Sequence, residues 1–241
     1  MAQSKKYRRY ICKGGQVQVV ARQSNLRKCF RQRSGDPTLD IQFTDKTPLE
    51  RYHLLTQSVI PRPIAWILTS DEDGSINLAP YSFFAPVSSE PPTLVVSMGK
   101  KSADVEKDSY RNLKRSGWCV VNIAHLEQLE AMNMSSATLE AGESESEAFG
   151  IELSPEGNWP LPRVAAAPVA YLCRYQQQVD LGAGPQHVVF LQIERMYVDE
   201  GVMVDNNGRF ELNSEMINPI GRLGAGEYAM MGERIKRGRP D

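Results

Sequence analysis

The run "INLAPYSFFAP", residues 76–86, limits the possible folds more than any other stretch of the chain. Ile76, Leu78, Tyr81, Phe83 and Phe84 favour β-structure, yet Pro80 and Pro86 each remove a ladder donor. Proline within a sheet is confined to edges, bulges and strand ends. The run is therefore predicted to form a barrel or sheet edge whose backbone groups are incompletely paired. Asn77, Ala79, Ser82 and Ala85 are small, so a planar ring could lie close to the main chain there. Tyr81, Phe83 and Phe84 either stack on such a ring or fill the core, and periodicity alone favours the core.

The flanking sequence extends the β reading. "IAWILTS", "DEDG" and "SINLAPY" read as strand, turn and strand, with Asp73-Gly74 as the hairpin signal. "PPTLVVSMG" (91–99) and "WCVVNIA" (118–124) read as further strands. Two long β-runs cover 169–181 and 187–199, joined by a turn at "GAGP". Helices are predicted over 47–55, with Thr47 as N-cap and Pro48 at the first position, over 102–117 ending at Gly117, and over 125–134. The acidic "EAGESESE" (140–147) reads as a solvated loop without chemistry. Many short-spaced strands with few helices predict a mainly β fold, a β-barrel with accessory helices.

Charge divides the chain. Residues 1–33 hold ten Lys/Arg and no acid, which leaves 18 basic against 29 acidic residues in the remainder, about −11. Residues 1–35 are expected to be a disordered basic extension and 36–241 the folded domain. An organelle transit peptide or a nucleic-acid arm are the other readings of that start. Cys12, Cys29, Cys119 and Cys173 show no metal-type spacing and suit reduced thiols. A cytoplasmic location is expected, or an organellar one if residues 1–33 direct import. No run of about 18 apolar residues is present, so no membrane span is expected.

Familiar catalytic signatures are missing from the sequence. His53, His125 and His187 are scattered, and no metal site is expected. There is no G-x-S-x-G elbow and no P-loop, and "GRLGAG" (221–226) reads as a turn. An enzyme of this composition would borrow a cofactor. Three segments suit a flat, phosphorylated one. Asn77–Ser88 offers the wall just described. "SMGKKSADVEKDS" (97–109) gathers Ser97, Lys100, Lys101, Ser102, Lys107 and Ser109 around a strand end and a helix start, which attract phosphate. "PRPIAW" (61–66) holds Arg62 rigidly between prolines, for phosphate or simply for solvent.

The combined run "YHLLTQSVIPRPIAWILTSDEDGSINLAPYSFFAPVSSEPPTLVVSMG" resembles the flavin reductase-like, FMN-binding split-barrel family, which includes flavoredoxin-type proteins. "KDSYRN" stands where that family carries K-D-T-x-x-N, followed by "WCVVNI", "SEAFGIE" and "NPIGRLGAGEYA", so the likeness spans about residues 36–230. It implies that Asn77, Ala79, Pro80, Tyr81 and Ser82 line the flavin ring and ribityl chain. Ser97, Ser102, Lys107 and Ser109 would approach the phosphate, and Arg222 would reach the site, from a second subunit. The sequence departs from the family at Ser109, usually threonine, at Leu191, commonly glycine, and at Leu172, commonly glutamate.

The resemblance also implies a homodimer and an FMN-dependent NAD(P)H:flavin oxidoreductase, with NADH or NADPH as hydride donor and a small-molecule acceptor. An FMN-bound electron carrier without NAD(P)H activity is the alternative. His187, the only histidine in a late strand, is a candidate contact to the reacting face, against a structural role at a strand edge. A flavin-free module recruiting nucleic acid through the basic start is the remaining reading.

Overall fold

The proline-spaced run forms two strands that break at Ser82, Ile76–Tyr81 and Phe84–Ser89, in the computed structural model. It describes residues 8–13, 16–21, 40–102, 104–139, 143–182 and 186–238. The elements begin with β1 (Arg8–Lys13), β2 (Gln16–Ala21), α1 (Pro48–Ser58), β3 (Arg62–Pro63), β4 (Ala65–Ser70), β5 (Ile76–Tyr81) and β6 (Phe84–Ser89). Next come β7 (Pro92–Met98), α2 (Asp108–Ser116), β8 (Trp118–Ile123), α3 (Leu129–Met134) and α4 (Glu145–Ala148). After β9 (Leu153–Ser154) and β10 (Arg163–Val164) run the long β11 (Val169–Leu181) and β12 (Gln186–Val198). The chain closes with β13 (Met203–Asn206), β14 (Arg209–Leu212), α5 (Ser214–Ile217), β15 (Gly221–Arg222) and β16 (Glu227–Ala229).

Two compact units divide the chain, Arg62–Ile220 and Met1–Pro61 with Gly221–Asp241. The division falls at 61/62 and 220/221. In the larger unit seven strands run in the order β5-β4-β8-β11-β12-β7-β6, and every pairing is antiparallel. The two edge strands, β5 and β6, are consecutive in the chain. The curled sheet therefore has its open seam where the prolines are, which makes it a split barrel. Pro80 lies opposite Trp66 and Pro86 opposite Leu94, each on an edge strand with one neighbour.

The β4–β5 turn forms at Asp73-Gly74 as its sequence predicts. Gly74 adopts φ 88°, a left-handed conformation that costs glycine little, and the Ser75 N–H donates to Asp73 Oδ1 at 2.9 Å. Inside the barrel Ile67, Val96, Met98, Leu113, Val121, Val189 and Leu191 are fully buried. Each such aliphatic contributes about 1.5–3 kcal/mol. Leu172 is buried as well, so both departures from the family pattern in the late strands are core residues here.

Helix α2 is shorter than its sequence suggests. The expected start at residue 102 is replaced by a tight turn in which the Lys101 and Ser102 N–H groups donate to the Val105 carbonyl at 2.8 and 3.3 Å. An ion pair between Lys101 and Asp108 ties this turn to the first helical residue. The C-terminus ends at Gly117 with φ 76°, as expected. The acidic stretch read as a loop contains the helical turn α4, and Glu145 at its start is buried. Residues 140–142 lie outside the described residues.

In the other unit the strand order includes β2-β1-β16-β15. The basic start, expected to lack order, supplies β1 and β2 of that sheet, while residues 1–7, 14–15 and 22–39 lie outside the described residues. Helix α1 opens with a capping box: Thr47 Oγ1 accepts the Glu50 N–H, and Glu50 Oε2 accepts the Thr47 N–H at 2.9 Å. "GRLGAG" is a turn between β15 and β16, with Leu223 N–H donating to the Glu227 carbonyl at 2.9 Å. A side chain at Gly224 would collide with Gln57 of α1, which accounts for that glycine. No helix among the described residues is long and apolar enough to cross a membrane.

Candidate functional site

Strand periodicity puts Asn77, Ala79 and Tyr81 on one face of edge strand β5, and that face forms one wall of a cleft of about 100 Å³. Lys107, Ser109 and Asn112 of the α2 start and first turns form the second wall. Residues 135–139 with Glu143 and Glu145 form the third. Lys101, Asp108 and Arg111 add charge at the rim.

Within the cleft Asn77 Nδ2 donates to Ser109 Oγ at 2.7 Å, joining strand to helix. The Lys107 ammonium lies 5.0 Å from the centre of the Tyr81 ring. It makes no ion pair among the described residues. Burial lowers its pKa, and the nearby Lys101 lowers it further. A half-buried cation without an anion is a ready partner for one. Burial likewise pushes the Tyr81 hydroxyl well above the usual phenol range, offset slightly by Ser109. That hydroxyl makes no hydrogen bond of good geometry.

Two residues that the sequence reading did not select shape the site. Asn112 is 1% exposed, and neither its Nδ2 nor its Oδ1 has a partner among the described residues. The spacing held a signal for it: Asn112 closes "KDSYRN", one helical turn beyond Ser109. Glu145 is 7% exposed, and its Oε2 accepts the Leu78 N–H at 2.8 Å. Burial raises its carboxyl pKa, backbone donors at Leu78 and Glu145 hold the rise back, and Asp108 adds to it. Nothing local in the sequence marked it. This contact corrects one expectation: the Leu78 donor on the proline-broken edge is taken by the chain's own carboxylate.

Asn77, Ala79, Tyr81, Lys107 and Ser109 thus line this cleft, and Arg62, Pro80, Ser82, Ser97 and Ser102 of the same unit do not. Pro80 packs opposite Trp66. Ser82 Oγ accepts from the buried Arg62 Nε at 3.4 Å, and that guanidinium lies 5.9 Å from the centre of the Phe83 ring. Ser97 Oγ donates to Gln186 at 3.3 Å, and Ser102 is exposed in its turn. Arg222 belongs to the other unit, 4.4 Å from the Tyr228 ring centre.

His187 is buried, with both ring nitrogens occupied: Nδ1 meets Asp180 at 2.7 Å and Nε2 meets Glu106 at 2.8 Å. Its ring stacks on Tyr110 with centroids 4.0 Å apart. This cluster ties the start of β12 to the end of β11 and to the loop before α2. Among the described residues no group of His, Cys, Asp and Glu is arranged to hold a metal.

Residues 57–212 match the family described as "Flavin reductase like domain". An uncharacterised protein of Deinococcus radiodurans is 34% identical over 194 residues, which is 78% of this chain and 84% of that one. Among solved structures, nitrilotriacetate monooxygenase component B from Bacillus cereus is 30% identical with a TM-score of 0.77, covering 84% of this chain and 100% of its own. The 2-nitrobenzoate 2-nitroreductase NbaA of Pseudomonas fluorescens is 29% identical with a TM-score of 0.75, over 84% and 96%.

Proposed function

The chain belongs to the flavin reductase-like family, whose common role is flavin-related redox chemistry, and we propose that this member binds FMN and uses NADH or NADPH as electron donor. The observation that carries the reading is the half-buried Lys107, without an ion-pair partner among the described residues, in the same cleft as the Asn112 amide. A phosphate would neutralise the ammonium, and a polar chain would satisfy the amide.

The start of α2 assists the anion, because its first N–H groups have no intrahelical acceptors. Ser109 and Asn77 add a hydroxyl and an amide beside it. A cleft of about 100 Å³ suits a phosphorylated arm, whereas sites for whole drug-sized ligands run to roughly 300–1,000 Å³. The ring then lies beyond this cleft, and a second copy of the chain completes its wall. Exposed Val179 and Leu181 at the end of β11, with Phe210 on β14, supply apolar surface for that homodimer.

A bound flavin would supply two-electron chemistry between a reduced nicotinamide and a small-molecule acceptor. The chain's own part is to bind and orient. Lys107 fixes the charged end, Asn77 and Ser109 fix its approach to β5, and Glu145 holds the strand edge in place.

The visible spectrum of the purified, dialysed protein tests flavin binding, with retained yellow colour expected. Anaerobic mixing with NADH and then NADPH is expected to bleach that colour with at least one donor. Colour that persists with both donors would replace the reductase reading with that of an FMN-bound electron carrier.

A further inference from the structure

We propose that Asn112 reads the neutral, hydroxyl-bearing chain of the bound phosphorylated ligand, donating from Nδ2 and accepting at Oδ1. The proposal rests on the reading of this cleft as the flavin arm's site. Its starting point is an imbalance between two neighbouring amides. Asn77 Nδ2 donates to Ser109 Oγ at 2.7 Å, whereas Asn112, 1% exposed one helical turn beyond Ser109, has neither donor nor acceptor paired among the described residues. Buried polar side chains in folded proteins are mostly hydrogen-bonded, so an exception that lines a cleft calls for an explanation, of which a bound partner is one.

The chemistry of the amide narrows what that partner is. An ionised phosphate only accepts hydrogen bonds, so it would leave Oδ1 orphaned. A hydroxyl both donates and accepts, and so serves both ends of the amide. The charge distribution agrees. Lys107 precedes α2 without an ion-pair partner among the described residues, while Asn112 lies further along the helix and lines the same cleft as Tyr81, whose hydroxyl also lacks a well-placed partner. The cleft thus offers one cation without a carboxylate partner among the described residues and two uncharged polar groups, while Arg111 is paired with Asp71 and Asp108, and Glu145 accepts from Leu78. That set suits a phosphate monoester followed by a polyol.

The test compares FMN with riboflavin, which keeps the polyol and lacks the phosphate. Binding is followed by quenching of flavin fluorescence, and the melting temperature is measured without ligand. Asn112→Leu is expected to weaken both ligands by the same factor, about tenfold or more, and to leave the ligand-free melting temperature unchanged or higher, because two orphaned atoms are removed. Lys107→Met is expected to weaken FMN and leave riboflavin unchanged.

Equal affinity of Asn112→Leu and wild type for both flavins overturns the assignment, as does a loss confined to FMN. A lowered ligand-free melting temperature with unchanged affinity also overturns it, since that marks an amide serving only the fold. Should Asn112→Leu fail to fold, Asn112→Asp, which keeps the shape and loses the donor, decides by the same comparison. A wild-type protein that takes up neither flavin overturns the cleft reading and this assignment together.

Discussion

Glu145 holds the open edge of the barrel: its Oε2 accepts the Leu78 N–H at 2.8 Å, joining residues 67 apart in sequence. The carboxyl is buried, and its pKa is raised above the ordinary 4.5. A raised carboxyl binds its proton more tightly in the folded state. It therefore supports the fold below about pH 4.5 and weighs against it as pH rises. Glu145→Gln removes that titration and keeps an acceptor for Leu78. The stability of Glu145→Gln relative to wild type is expected to improve from acid to neutral pH, as read by urea melts at each pH. A difference that is flat or falls with pH would refute this.

Asp180 shows the opposite sign. The hydrogen bond from His187 leads in holding its carboxyl below the ordinary 3.8. Stability from this group is complete above that value and is lost as pH falls through the lower folded one. Asp180→Asn is expected to be less stable than wild type at neutral pH, with the gap narrowing below about pH 3.8. Amide exchange at the β11–β12 hairpin is expected to quicken in the variant at neutral pH.

Leu191 fills the barrel interior with no exposed surface. Leu191→Ala is expected to cost about 2–5 kcal/mol, read as a lower urea midpoint with an unchanged slope. A cost well below that range would mean that the neighbouring Met98 and Leu113 collapse into the space.

The proposed homodimer predicts a mass change on charging the β11 end. Leu181, 55% exposed, is expected to become buried against a second copy. Leu181→Lys is then expected to shift the species seen by light scattering from dimer to monomer. A wild-type protein that is monomeric at the highest concentration tested removes this interface from the proposal.

Much of the barrel was legible in local chemistry. Pro80 and Pro86 require an edge, Asp73-Gly74 requires a tight turn, and Thr47 with Pro48 signals a helix start; each formed as expected. Lys107, Ser109 and Asn77, singled out from residue type and motif, line one cleft. The start of α2 was misplaced, because the turn at Lys101–Val105 and the Lys101–Asp108 pair outweigh helix propensity over 102–107. His187 could be picked out as a residue; that both its nitrogens are occupied could not.

By itself the sequence determined the β-rich class and the seam's position, because these follow from short-range constraints: proline's missing donor, alternation along a strand, and turn residues. The family was carried by the resemblance of whole motifs such as "PRPIAW" and "NLAPYSFF". Only the tertiary structure decided which polar groups are satisfied. Glu145 reads as one acid among several until Leu78 is placed against it, and Asn112 reads as an ordinary helix residue until burial removes its water. Burial and pairing depend on segments far apart in the chain, and no local pattern encodes them.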